Sequence, residues 1–209
     1  MLVWLTVAFL AGATVGRADT SEVDKLLKDR PQLTEIIKEN DPVWIWLDKS
    51  FRDTNGLPAI WSSQDPEGHY LANHAYNSAG QAIIMAAAKN AEGKQLGGEQ
   101  VLSLVVFELL NARHRDDFLK VVDLAKQGKF TKAEFEEEMA KIEFKTAWDV
   151  KKFHTEVWIP YASSRHLPWD NDFWEGGVGE DFDAWYRTVS RLSGYPDDIY
   201  GPYYDKLIK

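Results

Sequence analysis

The stretch Val105-Val106-Phe107-Glu108-Leu109-Leu110-Asn111-Ala112 (VVFELLNA) sets one glutamate and one asparagine, three positions apart, inside an otherwise apolar run. At about 100° per residue, Glu108 shares its face with Val101, Leu104, Val105, Ala112 and Leu119. Leu102, Val106, Phe107, Leu109 and Leu110 fill the other faces. A helix that is apolar nearly all round lies buried, and Glu108 is buried with it. An unpaired buried carboxylate is costly or takes up a proton, so a partner is required. Arg115, seven residues on and on the same face, is one candidate. The structural reading is a buried Glu–Arg or Glu–His network that fixes helix register. The functional reading is a present or former active site.

Working outward, Gly93 and Gly97-Gly98 break the chain before this helix, which is predicted over Glu99–Lys126 and ended by Gly128. Thr131-x-x-Glu134 is a capping box that opens a second long helix, predicted to run to about Trp158 and to stop at Pro160. Joined by only a few residues, the two helices should pair antiparallel. Phe135, Met139, Ile142, Thr146, Val150, Phe153 and Val157 form one stripe on the second helix, with Glu143 beside it. Each helix thus aims one acid into a shared apolar interior.

Upstream, residues 69–89 read as an antiparallel hairpin: His69–Tyr76 alternates, Asn77-Ser78-Ala79-Gly80 turns, and Gln81–Ala86 returns. Residues 21–39 read as an amphipathic helix interrupted at Pro31, and Val43–Leu47 is an apolar run too short to type. Downstream, residues 161–209 gather Trp169, Trp174 and Trp185 with six Tyr. A short helix is expected over about 180–193, with the rest as loop wrapped on the helical core.

Residues 2–15 (LVWLTVAFLAGATV) followed by Gly16-Arg17-Ala18 fit a signal peptide cleaved before Asp19. The run is shorter than the about 20 apolar residues that span a bilayer, so no stable membrane anchor is expected after cleavage. No Lys or Arg precedes it, which leaves room for a start codon upstream. With no cysteine, neither disulfides, thiolate chemistry nor a lipoprotein anchor is available. The expected location is the bacterial periplasm or the exterior. A formal charge of −9 argues against nucleic acid as a partner. The organisation expected is a signal peptide over 1–18 and one globular domain over 19–209. The fold class is α+β, predominantly α: two long antiparallel helices, a small antiparallel sheet and an aromatic C-terminal cap.

Phe107-Glu108-Leu109-Leu110-Asn111 resembles the HExxH helix of zincin metallopeptidases with both histidines replaced. In that family the two histidines bind zinc and the glutamate is general base on the metal-bound water. In the gluzincin branch a glutamate from a following helix is the third ligand, a place that Glu143 matches. The resemblance covers the hairpin and both helices, about residues 69–158, with residues 161–209 as an added aromatic region. It implies Phe107, Glu108, Asn111 and Glu143 as the degenerate motif positions. Phe107 has no donor atom and Asn111 is a far weaker zinc ligand than histidine, so the resemblance implies a pseudopeptidase without its metal.

The remaining histidines assemble no metal site. His69 and His74 face opposite sides of a strand and read as surface or hydrogen-bonded residues; His114 points away from Glu108. His154 is about 16 Å along the helix from Glu143. Asp170-Asn171-Asp172-Phe173-Trp174-Glu175-Gly176 departs from the EF-hand pattern and reads as a solvated acidic loop. Gly176-Gly177-Val178-Gly179 is no phosphate loop, and no Ser–His–Asp set is evident. The leading expectation is a non-catalytic exported zincin-like domain that binds a protein or glycan or serves a structural role, with neither metal nor cofactor. One alternative is a hydrolase using Glu108 and Glu143 as an acid/base pair or with a non-standard metal site. The other is glycan or cell-wall binding by the C-terminal aromatics.

Overall fold

The computed structural model describes residues 21–66, 71–174, 181–193 and 195–209, together with the backbone of residues 9–10. Apart from those two, the segment read as a signal peptide lies outside the described residues, as do His69, Glu175 and the Gly176–Gly179 run. Strands are β1 (Phe9–Leu10), β2 (Ile60–Trp61), β3 (Ala72–Asn77) and β4 (Ala82–Ala86). Helices are α1 (Glu22–Asp29), α2 (Pro42–Arg52), α3 (Gly98–Arg113), α4 (Arg115–Lys126) and α5 (Lys132–Phe153), then α6 (Ile159–Ser164), α7 (Phe182–Ser193) and α8 (Asp197–Leu207). The protein is therefore mainly helical with a small sheet.

The predicted hairpin is present. β3 and β4 pair antiparallel with His74 opposite Ile84, and Gly80 closes the turn at φ +78°, a conformation that favours glycine. The sheet as a whole, in order β1-β3-β4-β2, is mixed rather than antiparallel, because β1 and β2 run parallel to their neighbours. α1 seats β2 in that direction: Glu22 accepts from the Trp61 backbone N–H and Asp29 from its indole N–H.

α3 packs on β3 and β4 and is buried at every residue from Val101 to Ala112, as its apolar circumference requires. Gly98 begins it where a β-carbon would lie 2.5 Å from the Gln32 carbonyl oxygen, so the glycine allows the close approach of the Pro31–Leu33 turn. The single helix expected over Glu99–Lys126 is instead two. At His114 the backbone turns out of the α geometry, and its N–H bonds three residues back to Asn111. The break lets the amphipathic α4 turn Phe118, Val121, Val122 and Ala125 inward while its charged face stays in water.

The capping box at α5 forms as read: Thr131 Oγ1 accepts from the Glu134 N–H, and the Glu134 carboxylate accepts from the Thr131 N–H. Its stripe is buried from Phe135 to Phe153. Pro160 does not end the helix. A π-helical turn over His154–Trp158 joins α5 to α6, and Pro160 sits in the first turn of α6, where a missing N–H does no harm. Val43–Leu47, too short to type from the sequence, belongs to α2, opened by Pro42. The C-terminal region carries α6 and α8 besides the expected α7, and Tyr200 and Tyr204 of α8 dock on Phe135.

Candidate functional site

Glu108 is fully buried, and its partner is not Arg115 but His74 of β3. His74 Nδ1 lies 2.7 Å from Glu108 Oε2, with both side chains at 0% exposure. Strand alternation puts His74 and Tyr76 on one face of β3, toward α3. Tyr76 closes the site edge-on against the imidazole, 5.4 Å between ring centres, and the Arg115 guanidinium lies over the outer side of that phenol. Burial acts against both charged forms: it lowers the His74 pKa to about 3 and raises that of Glu108 well above the carboxylate range. Burial thus favours the neutral form of each partner. A protonated Glu108 donates to Nδ1, which leaves the ring hydrogen on Nε2. Glu108 Oε1, His74 Nε2 and Asn111 Nδ2 have no hydrogen-bond partner among the described residues.

The other motif positions are engaged elsewhere. Phe107 is buried at 5% exposure and offers carbon alone. Asn111 Oδ1 accepts from the Thr146 hydroxyl of α5 at 2.7 Å. Glu143 is held by the C-terminal region: the Tyr195 and Tyr200 hydroxyls donate to its two oxygens at 2.6 and 2.7 Å. Burial, with the Glu143 carboxylate beside them, holds both phenols well above their ordinary pKa. A zinc ion needs three or four converging N, O or S donors. One carbon side chain, an amide committed to Thr146 and a carboxylate committed to two tyrosines do not meet that need. Among the described residues no group of three or more His, Asp and Glu side chains converges on a point where a metal ion would sit.

The sequence reading missed His74 as a participant, although its alternation with Tyr76 carried the signal. It also missed a second polar centre at the start of α3. Glu99 Oε1 accepts from the indole N–H groups of Trp158 and Trp174, each at 2.7 Å, and both of its oxygens accept from the Asp170 N–H. His154, in the π-helical turn, stacks flat on Trp174 with 5.1 Å between ring centres. Tyr161, Trp174, Tyr195, Tyr200 and Tyr204 are buried, and Phe173, Phe182, Trp185, Tyr186 and Tyr203 pack against the core, so most described C-terminal aromatics anchor the region to the helices. Trp169 stands out at 42% exposure.

No family model, curated protein or solved structure matches this chain. Among the described residues no helix is long and apolar enough to cross a membrane.

Proposed function

We propose that the chain is a non-catalytic, exported zincin-like domain, a pseudopeptidase of gluzincin type whose role is to bind or to support rather than to cut. One observation carries this reading: Glu108, at the general-base position of the resembled motif, is sealed from solvent against His74. A general base must be ionised and must reach the water or proton it activates. Glu108 is kept protonated by burial and is spent on an imidazole. The order of hairpin, glutamate-bearing helix and second glutamate-bearing helix supports the family reading. The export half rests on the apolar residues 2–15 and Gly16-x-Ala18, and N-terminal sequencing of exported protein that recovered Met1 would remove it.

Metal analysis tests the rest. Purified wild type is expected to hold no stoichiometric zinc and to cleave no peptide, with or without added zinc. The double variant Phe107→His, Asn111→His restores two imidazoles one helical turn apart and should gain zinc, weakened by adding Glu143→Ala. Zinc in the wild type, or a folded double variant that gains none, would end the zincin reading. Peptide hydrolysis abolished by Glu108→Gln would instead favour a hydrolase. Glycan recognition is favoured only by the exposed Trp169, and retention on a polysaccharide column that is lost in Trp169→Ala would establish it.

A further inference from the structure

A cavity of about 250 Å³, open to solvent on one side, lies against α3 between the hairpin and the turn at Asn171–Phe173. Leu71, Leu96, Leu104 and Phe173 make its walls, and Gln100 and Asp172 supply its polar groups. Leu104 stands one helical turn before Glu108, so the cavity opens on the α3 flank of the sealed pair.

The cavity persists because its outer wall is fixed. Glu99, with its bonds to two indoles and the Asp170 N–H, ties residues 170–174 to the start of α3. Trp174 is in turn clamped by the His154 ring. Asp170 also accepts from the Asp172 N–H, which holds that turn in shape. The backbone that carries Phe173 is therefore held in place at the rim. A preformed pocket of this kind binds without the ordering cost of a loose loop.

We propose that this cavity is a binding site for a small cation with an apolar body, an alkyl- or arylammonium group, free or at the end of a larger molecule. Four apolar side chains suit a hydrocarbon body. Asp172 is exposed and is the charged member of the lining, and the chain carries a formal charge of −9, so a positive head group is favoured over a negative one. The volume lies below the about 300–1,000 Å³ of pockets that enclose drug-sized ligands, so the occupant is fragment-sized. The Gln100 amide adds a neutral hydrogen-bonding group beside the carboxylate. The proposal shares with the reading above only that the domain binds. Ligand titration and zinc uptake therefore fail independently.

The test titrates the isotopically labelled full chain with three matched probes, 2-phenylethylammonium, 2-phenylethanol and 3-phenylpropionate, following backbone amide shifts. The ammonium should bind saturably and move the amides of 96–104 and 170–174. The alcohol should bind about fivefold more weakly, as loss of one exposed ion pair implies, and the carboxylate should not saturate. Asp172→Asn should bring the ammonium to the level of the alcohol, and added salt should do so in part. Leu71→Trp, at a half-buried rim position, should block all binding. Equal affinity for alcohol and ammonium, shifts that map elsewhere, or undiminished binding by a folded Leu71→Trp would each overturn the proposal. So would tighter binding of methyl glucoside at the same residues.

Discussion

Glu108 and Glu143 are the same residue, buried almost equally, on adjacent helices, yet the fold accommodates them by opposite means. Glu108 receives one imidazole, keeps one oxygen without a partner among the described residues, and is pushed toward its neutral form by burial. Glu143 receives two phenol hydroxyls, one on each oxygen. The first arrangement disfavours the charge, and the second brings a hydrogen-bond donor to each oxygen. The difference follows from what each helix faces. α3 meets the hairpin, where His74 is the side chain within reach of the Glu108 carboxyl and the Tyr76 hydroxyl is directed to the Ala112 carbonyl. α5 meets the C-terminal region, which is rich in tyrosine and can bring donors.

The comparison breaks most easily at Glu143. Replacement by alanine takes away the carboxylate that accepts from two buried phenol hydroxyls and opens a void between α5 and α8. Each stranded hydroxyl costs about 1–3 kcal/mol, so Glu143→Ala should destabilise by about 3–5 kcal/mol. Urea denaturation measures it. Tyr200→Phe in the same background should then cost less than in wild type, since the hydroxyl it removes is already unpaired. A loss below about 1 kcal/mol would mean that the tyrosines do not hold the carboxylate in solution.

Some of this was legible in the sequence and some was not. The buried helix around VVFELLNA, the hairpin, the α5 stripe and the Thr131 cap are local patterns, and each appears where the pattern put it. Glu108 was legible as buried, because an all-apolar helix has no outside. Its partner was not. Arg115 is close along the helix, but it is a charged group at a helix break that can stay near water, over Tyr76, while His74 arrives from a separate strand. The C-terminal helices were hidden because Pro160 read as a helix stop and the Gly- and Pro-containing stretch after it read as loop. Pro160 sits in a first turn after a π-helical segment, Pro196 precedes α8 and Pro202 lies within it. The Glu99–Trp158–Trp174 centre joins residues 59 and 75 positions apart and leaves no periodic trace.

The neutral pair carries its own pH signature. The unfolded Glu108 ionises above about 4.5 while the folded one keeps its proton, so its contribution to stability falls as pH rises from there, by about 1.4 kcal/mol per unit. The unfolded His74 protonates below about 6.5 while the folded one resists down to about 3, so stability also falls as pH drops through that window. Between the two unfolded values the slopes oppose each other and cancel, leaving a plateau flanked by two losses. Burial raises the Tyr76 phenol, which packs against His74, above its ordinary range, so it keeps its proton across this window. Glu108→Gln keeps a donor for His74 Nδ1 and has no proton to lose. It should be more stable than wild type at pH 7 by about 1–3 kcal/mol and lack the alkaline decline, while the acid decline through His74 remains. Denaturation midpoints of both proteins from pH 4 to pH 8 decide this. A less stable Gln variant at pH 7 would mean that the pair is ionised and that the two glutamates are accommodated alike.

The smallest expected effect sharpens the comparison at Asn111, the motif position between the two acids. The Thr146 hydroxyl is its hydrogen-bond donor from α5, and the amide nitrogen has no partner among the described residues. Thr146→Val keeps the shape, removes that hydroxyl and leaves the amide with a second unpaired atom, at a cost of about 1–2 kcal/mol. Asn111→Leu should cost a similar amount, since it strands the hydroxyl instead, although Thr146 can turn back to the Ile142 carbonyl and recover part of the loss. Replacing both at once removes every stranded group and puts carbon against carbon, so the double variant should be about as stable as wild type. The four proteins form a double-mutant cycle, and a coupling of about 1 kcal/mol or more is expected from the equilibrium unfolding of each. Such a coupling would make Asn111–Thr146 a tie between α3 and α5 that apolar residues can replace. Additive losses would show that Asn111 draws its stability from the Glu108 side of the helix, and the two buried acids would then belong to one connected polar network rather than two.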